Sequence, residues 1–251
     1  MLRILPRHRA VLTALGTLAL AVAPTALAAQ AETRPTVAVL YFNNGSFGPG
    51  AKDYDMLGRG VADFLITELS ANPRIRVVER DQIAKITAEQ DLGASGRMDA
   101  ETAVRLGKLL GAQYMVTGGF IVTPRGDVRL DSRAFDVSTS RIVHTESVTD
   151  KADNFVPLIG KLAEKLNGGM KLPEIPKRTG TGPAPAPAGT VGTAAPAAEQ
   201  KVPFAAVALY AKALGAKDKG NKAEAVTLFK QALDRFPDFA RAKAQLKNLG
   251  A

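Results

Sequence analysis

The 251-residue chain contains no cysteine and no tryptophan, and only two histidines, His8 and His144. Without cysteine there is no disulfide, thiolate zinc site, iron–sulfur cluster, cysteine nucleophile or lipidated cysteine anchor. The shortage of histidine excludes histidine-rich metal sites. His8 lies in a segment expected to be removed, so a Ser-His-Asp triad would have His144 as its only base. Aromatic residues make up only 6% of the chain. No segment reaches 18 consecutive apolar residues, the usual minimum for a membrane-spanning helix. Most enzyme classes are disfavoured from the start. What is present, 46% apolar and 23% charged residues, is ordinary for a globular chain of one or two domains.

Residues 1–28 read as an export signal. Arg3, Arg7 and Arg9 form a basic start, residues 10–23 a largely apolar run of 14, and Pro24 a helix breaker. Ala26-Leu27-Ala28 then supplies a small-x-small cleavage pattern, with cleavage expected after Ala28. The run is short of the roughly 20 residues that span a bilayer. The expected location is the periplasm, either soluble or peripheral to the outer membrane.

The net charge of +9 is unevenly placed. Residues 29–167 carry 17 basic and 18 acidic side chains, whereas residues 204–251 carry 9 and 4. The high isoelectric point therefore reflects a neutral body with a basic tail. Nucleic-acid binding would need a basic face with base readers or stacking platforms. The tail aromatics Phe204, Tyr210, Phe229, Phe236 and Phe239 are instead expected to pack between helices.

Between the two parts, residues 173–203 hold 18 Pro, Ala or Gly in 31 positions, seven of them proline, and no aromatic. This composition reads as an extended linker, reaching roughly 95 Å at about 3.1 Å per residue. It separates a body at 34–167 from a helical tail at 204–251. In the body, residues 36–43 read as a strand covered on both faces. A helix follows at 56–71, with Leu57, Val61, Phe64, Leu65 and Leu69 on one stripe. Residues 74–79 read as a second strand, and Asp81 is placed to cap the helix bearing Ile83 and Ile86. A loop at 93–96 leads to Asp99, which caps a third helix ending at Gly111. Three strands at 113–122, 127–137 and 141–149 form an antiparallel meander, and a helix at 155–166 closes the body. The order βαβααβββα predicts an α/β (α+β) mixed sheet flanked by helices, followed by a small all-α tail.

The strings VAVLYFNN (37–44), LGRGVADFLITEL (57–69), RVVERDQIAKITAEQ (76–90) and RLGKLLGAQYMVTGG (105–119) together resemble the CsgG family, best known from curli transport. The resemblance covers about 115 of the 139 residues from 29 to 167. The same architecture resembles the amino-terminal domain of TolB-like periplasmic proteins and the lipoprotein activators of penicillin-binding proteins. It implies signature positions of structural role at Glu68, Glu79, Arg80, Gly107, Gly111 and Gly118. A structural ion pair is expected among Glu68, Glu79 and Arg80. Two departures stand out. The family's outer-membrane members begin at a lipidated cysteine, and its pore-forming members insert two spanning hairpins. Here residues 119–149 are used up by the meander, and Arg129, Asp131 and Arg133 line one strand face opposite Ser132 and Asp136. A channel is not expected.

The tail spacing Ala225-x3-Phe229-x2-Ala232-x4-Pro237 resembles the second helix of a tetratricopeptide repeat, with Gly220 at the turn and Leu209 in the preceding helix. The match to that preceding helix is weaker, because Lys212-Ala213 and Ala216 stand where Leu-Gly and an aromatic are usual. One such unit cannot enclose its own apolar face. The tail should therefore dock on its own body, on a second copy, or on another protein, and its basic excess would favour an acidic surface.

No motif makes an active site. The loop Asn43-Asn44-Gly45-Ser46-Phe47-Gly48-Pro49-Gly50 lies between strand and helix, yet it lacks the G-K-[ST] of a phosphate loop. A surface loop is the expected reading. His144 is expected to be solvated or hydrogen-bonded in its strand, not a lone metal ligand. The expectations are therefore no catalytic residue, no cofactor, no metal, and protein partners in the cell envelope with a homo-oligomer open. The function expected is a non-enzymatic periplasmic scaffold, adaptor or secretion accessory. The alternatives are a regulator of cell-wall synthesis of the penicillin-binding-protein-activator type and a nucleotide-binding protein using the Gly45–Gly50 loop.

Overall fold

Val37, Ala38 and Val39 are fully buried in the first strand, β1 (Thr36–Val39), which sits between two parallel partners. The computed structural model describes residues 34–89, 100–172 and 202–251. The cleavage site at Ala28, the 93–96 loop, Asp99 and residues 173–201 lie outside the described residues.

The remaining strands are β2 (Asn43–Asn44), β3 (Arg76–Val77), β4 (Tyr114–Val122), β5 (Asp127–Asp136) and β6 (Arg141–Lys151). The path through the sheet is β3-β1-β4-β5-β6, and β2 pairs with β4 off that path. β1 is parallel to β3 and β4, while β4, β5 and β6 form the antiparallel meander. The body helices are α1 (Leu57–Ser70), α2 (Arg80–Glu89), α3 (Ala100–Leu109) and α4 (Phe155–Gly169).

Three sequence expectations need correcting. The strand expected at 36–43 is broken after Val39, because the Phe42 N–H donates to Gly58 O of α1 at 3.3 Å. Pairing resumes only at Asn43 opposite Gly119. The strand expected at 74–79 shrinks to Arg76 and Val77, since Ile75 N bonds back to Asn72 O and Arg80 already begins α2. Asp81 is not a cap; it lies in the first turn of α2.

Strand alternation assigns the layers. Val116, Ala134 and His144 share one face, and Gly169 of α4 lies against His144 there. Met115 and Phe135 share the other, where α3 packs through Gly107 against Met115. α1 sits beside α4, with the Phe64 and Phe155 rings edge-on at 6.2 Å. Phe155, Leu158, Ile159, Leu162 and Leu166 of α4 are all fully buried, as their helical spacing requires. The pairing Ala134↔His144 followed by Phe135↔Ile142 leaves Val143 as an extra residue in β6, a bulge.

The tail forms α5 (Phe204–Asp218), α6 (Lys222–Arg235) and α7 (Ala240–Asn248). α5 buries Ala206, Val207, Tyr210, Ala211, Ala213, Leu214, Gly215 and Ala216, which point around most of its circumference. A helix apolar around its whole circumference belongs in a core. Here it lies between α6 and α1. Among the described residues no helix is long and apolar enough to cross a membrane.

Candidate functional site

The densest set of ionisable side chains lies where the tail meets the body. α1 carries two working faces. Its apolar stripe meets the sheet, and the face bearing Gly60, Asp63 and Thr67 meets the tail. A Cβ on Gly60 would stand 3.1 Å from the Cβ of Ala211, so the small residues let α1 and α5 approach closely. Around this crossing, Phe64 packs against Tyr210 and Phe239 at ring distances of 5.9 and 6.3 Å.

Asp218, at the end of α5, receives three donors from three separate parts of the body. Arg80 Nη1 donates to Oδ1 at 2.6 Å, while Tyr41 OH and Arg59 Nε donate to Oδ2 at 3.0 and 3.1 Å. The Asp218 side chain is only 9% exposed and that of Arg80 only 5%. Arg59 also stacks over the Tyr41 ring at 4.7 Å. A buried carboxylate holding two guanidinium groups and a phenol keeps each of them from being stranded without water or partner.

A second carboxylate, Asp63, works in the opposite direction across the same junction. Tyr210 OH donates to its Oδ2 at 2.9 Å, Arg80 Nε lies 3.6 Å from Oδ1, and Arg241 Nη1 lies 3.8 Å from Oδ2. Arg241 of α7 donates to Thr67 Oγ1 at 2.7 Å and lies over the Phe64 ring at 4.2 Å. At the rim, Lys217 Nζ donates to Asp81 Oδ2 at 3.0 Å. Burial pushes the Asp81 carboxyl up, but the Lys217 hydrogen bond and the Arg80 charge outweigh it and hold the group below its usual range.

Burial, reinforced by the Asp218 carboxylate, drives the Tyr41 phenol well above its ordinary value. Tyr210, fully buried against Asp63, is raised for the same reasons. The folded protein thus holds these two protons where the unfolded chain releases them. Their contribution to stability is intact below the ordinary tyrosine value of about 10 and is lost as pH rises above it. With no tryptophan and four tyrosines in the chain, tyrosinate absorbance is an unobstructed reporter. On an alkaline titration, the full four-tyrosine amplitude should appear only together with loss of the far-ultraviolet helical signal. Full amplitude in still-folded protein would contradict this assignment.

The sequence-derived positions divide unevenly over the structure. The ion pair expected among Glu68, Glu79 and Arg80 is not formed. Arg80 turns to Asp218, Asp63 and Asp81, and Glu68 lies 3.9 Å from Arg241. Glu79 stands apart, its carboxyl raised by burial and by the neighbouring Asp81 and Asp63 charges. Gly107 is pressed against Val137 and Met115, and a Cβ on Gly118 would stand 2.2 Å from Asp131 O. Gly111 and Gly220 have φ of 62° and 79° at helix ends, where a left-handed turn suits glycine. Leu209 is half-buried, while Ala225, Phe229 and Ala232 of α6 are fully buried. Phe229 meets Tyr210 at 5.5 Å, and Pro237 follows the end of α6. His144 Nε2 lies 3.5 Å from Glu146 Oε2. The covering surface that the tail was expected to need is supplied by α1 of the body.

Sequence reasoning passed over Tyr41, Arg59, Asp63, Asp218 and Arg241, and gave Tyr210 a packing role alone. Two signals were present. Asp63 is the acidic residue flanked by the apolar Val61, Ala62, Phe64 and Leu65 of α1, and Asp218 is one of only four acidic residues in the basic tail.

Two other places were candidates for chemistry. The open face of β4, β5 and β6 carries a depression of about 800 Å³ lined by Thr117, Asp131, Arg133, Thr145 and Ser147. Its Asp131 is already engaged by Arg129 at 2.8 Å and by Ser147 at 2.5 Å. In the 45–50 loop, Ser46 Oγ accepts from Val122 N, and Asn44 Nδ2 donates to Ala51 O and Asp55 Oδ1. The loop runs into a short 3-10 turn at Ala51–Tyr54, and α1 begins only at Leu57. The loop glycines thus abut only this four-residue 3-10 turn, with Gly50 at its N-cap, and not the α-helix amino terminus of a phosphate cradle.

With this geometry in hand, residues 20–123 match the family model of the curli production assembly/transport component CsgG. That segment of the chain is similar to CsgG. No curated protein matches the chain. Among solved structures, the LpoB C-terminal domain from Salmonella enterica is 19% identical, covering 47% of this chain and 84% of that one, with a TM-score of 0.31. A PelC dodecamer from Paraburkholderia phytofirmans is 14% identical, covering 57% and 91%, with a TM-score of 0.36. TolB from Acinetobacter baumannii is 15% identical, covering 55% and 28%, with a TM-score of 0.32. The matched segment contains Tyr41, Arg59, Asp63 and Arg80, whereas Tyr210, Asp218 and Arg241 lie beyond it. The buried junction therefore joins the CsgG-like segment to a part of the chain that the family match does not include.

Proposed function

We propose that this protein is a non-enzymatic accessory of the bacterial cell envelope, an exported scaffold or adaptor whose CsgG-like domain engages envelope proteins. The observation that carries the reading is the junction itself. The strongest cluster of ionisable groups in the described structure is spent on holding a helical tail against the segment that is similar to CsgG. The family match supports an envelope setting, and the expected export signal supports a periplasmic one.

The test is crosslinking in the intact periplasm followed by identification of the captured proteins, together with the mass of the exported chain. The expected chain begins at Ala29, is recovered from the periplasmic fraction, and is joined to envelope assembly or cell-wall proteins. Retention of residues 1–28 in a membrane pellet would sink the exported form. A thermal-shift screen with nucleotides provides the counter-test, since a ligand at 100 times its Kd stabilises by about 2.7 kcal/mol. Such a shift would replace the scaffold reading with nucleotide binding.

A further inference from the structure

The tail and the body are held by a contact that any copy of the chain could supply. Across the junction, the polar partners of the body are Tyr210, Lys217 and Asp218 of α5 and Arg241 of α7, and glycines allow the close approaches of Gly60 to Ala211 and of Gly215 to Met56. Nothing covalent near the contact ties a tail to its own body. The connection is residues 173–201, and the two ends it must join are known. α4 finishes at Gly169, with Leu172 N bonded back to Asn167 O. α5 starts beside the beginning of α4, where the Phe155 and Phe204 rings lie 5.6 Å apart. The connection must therefore travel back along the 15 residues of α4, roughly 22 Å at 1.5 Å per residue. A segment of its length and composition reaches roughly 90 Å, several times what closure on the same body requires.

We infer that the groove formed by α1, Tyr41, Arg59 and Arg80 is also a docking site for the tail of a second copy, so that copies can link tail to groove. The occupant is specified by chemistry. It must present a small residue opposite Gly60, a phenol toward Asp63 and a carboxylate between the two arginines, and this chain carries all three on α5. In dilute solution the chain's own tail wins, because a tether of this kind holds it at an effective concentration in the millimolar range. Linkage between copies follows when the chain's own tail cannot close, or when copies are gathered to comparable density.

Two full-length variants separate the partners of the exchange. Asp218→Lys leaves the groove intact but gives its own tail a cation facing Arg59 and Arg80. Gly60→Phe blocks the groove where Ala211 must sit and leaves the tail intact. Each variant alone should sediment as a monomer at micromolar concentration, and an equimolar mixture should form a one-to-one heterodimer as concentration is raised. A mixture that stays monomeric up to high micromolar concentration, with both variants retaining the sheet signal of the body, overturns the inference.

A second arm does not depend on either substitution folding well. Deleting residues 174–200 leaves three Cα steps between Leu172 and Val202, about 11 Å, short of the return path. That chain should be dimeric or larger at every concentration. A monomer whose α5 amides remain protected from hydrogen exchange would overturn the inference.

Discussion

Asp218→Lys should release the tail while leaving the body folded. The native carboxylate is nearly buried and takes donors from Tyr41, Arg59 and Arg80. Reversing its charge places three cations together and leaves Arg80, 5% exposed, with no tail carboxylate. Removing one partner of a buried ion pair typically costs 3–5 kcal/mol, because the remaining charge stays out of water. The body does not share this fate. Asp63 and Asp81 still face Arg80, and the body supplies most of the continuous apolar core that the tail extends. The expected result is rapid proteolysis of residues 202–251, a melting transition lowered by several degrees, and a retained sheet signal in circular dichroism. Asp218→Asn keeps the shape and one acceptor oxygen, so it should lie between this variant and the parent. A tail that stays protease-resistant in Asp218→Lys would show that apolar packing alone holds the junction.

The second large effect is expected at Gly58, on a purely steric argument. A Cβ at this position would stand 1.8 Å from the Phe42 carbonyl oxygen and 2.8 Å from its carbon. Both are backbone atoms of the segment between β1 and β2, which cannot swing aside as a side chain does. Gly58→Ala must push α1 away from the sheet or break the Phe42 N–H to Gly58 O bond. Overpacking of this kind costs about 1–3 kcal/mol, and more where backbone must shift. We expect at least the upper end of that range, read as a reduced urea midpoint. Gly160 in α4 is the matched control, since a Cβ there meets nothing within 4 Å. Gly160→Ala should stabilise by about 0.5–1 kcal/mol through helix propensity alone. Equal effects at the two glycines would contradict the packing described here.

The element order, the mixed sheet and the core-facing stripes were legible in the chain. Patterns such as Leu57, Val61, Phe64, Leu65 and Leu69, or Phe155 through Leu166, depend on local periodicity, and local periodicity is written in neighbouring residues. The limits of the strands were less legible. The break between β1 and β2 is imposed by Gly58, and the short β3 by hydrogen bonds at the end of α1, neither of which the strand residues announce.

The candidate site was the least legible part. Glu68, Glu79 and Arg80 drew attention because they lie close in sequence, yet Arg80 finds its partner 138 residues away at Asp218. Sequence by itself determined where the proline and the basic excess lie along the chain, and that a lone helical unit of that size would need a covering surface. Only the tertiary structure decided that the surface is α1 of the same chain. The reason is physical: helix periodicity marks which residues avoid water, but charges are matched through space, and a carboxylate's partners are set by the packing that brings them within about 3 Å.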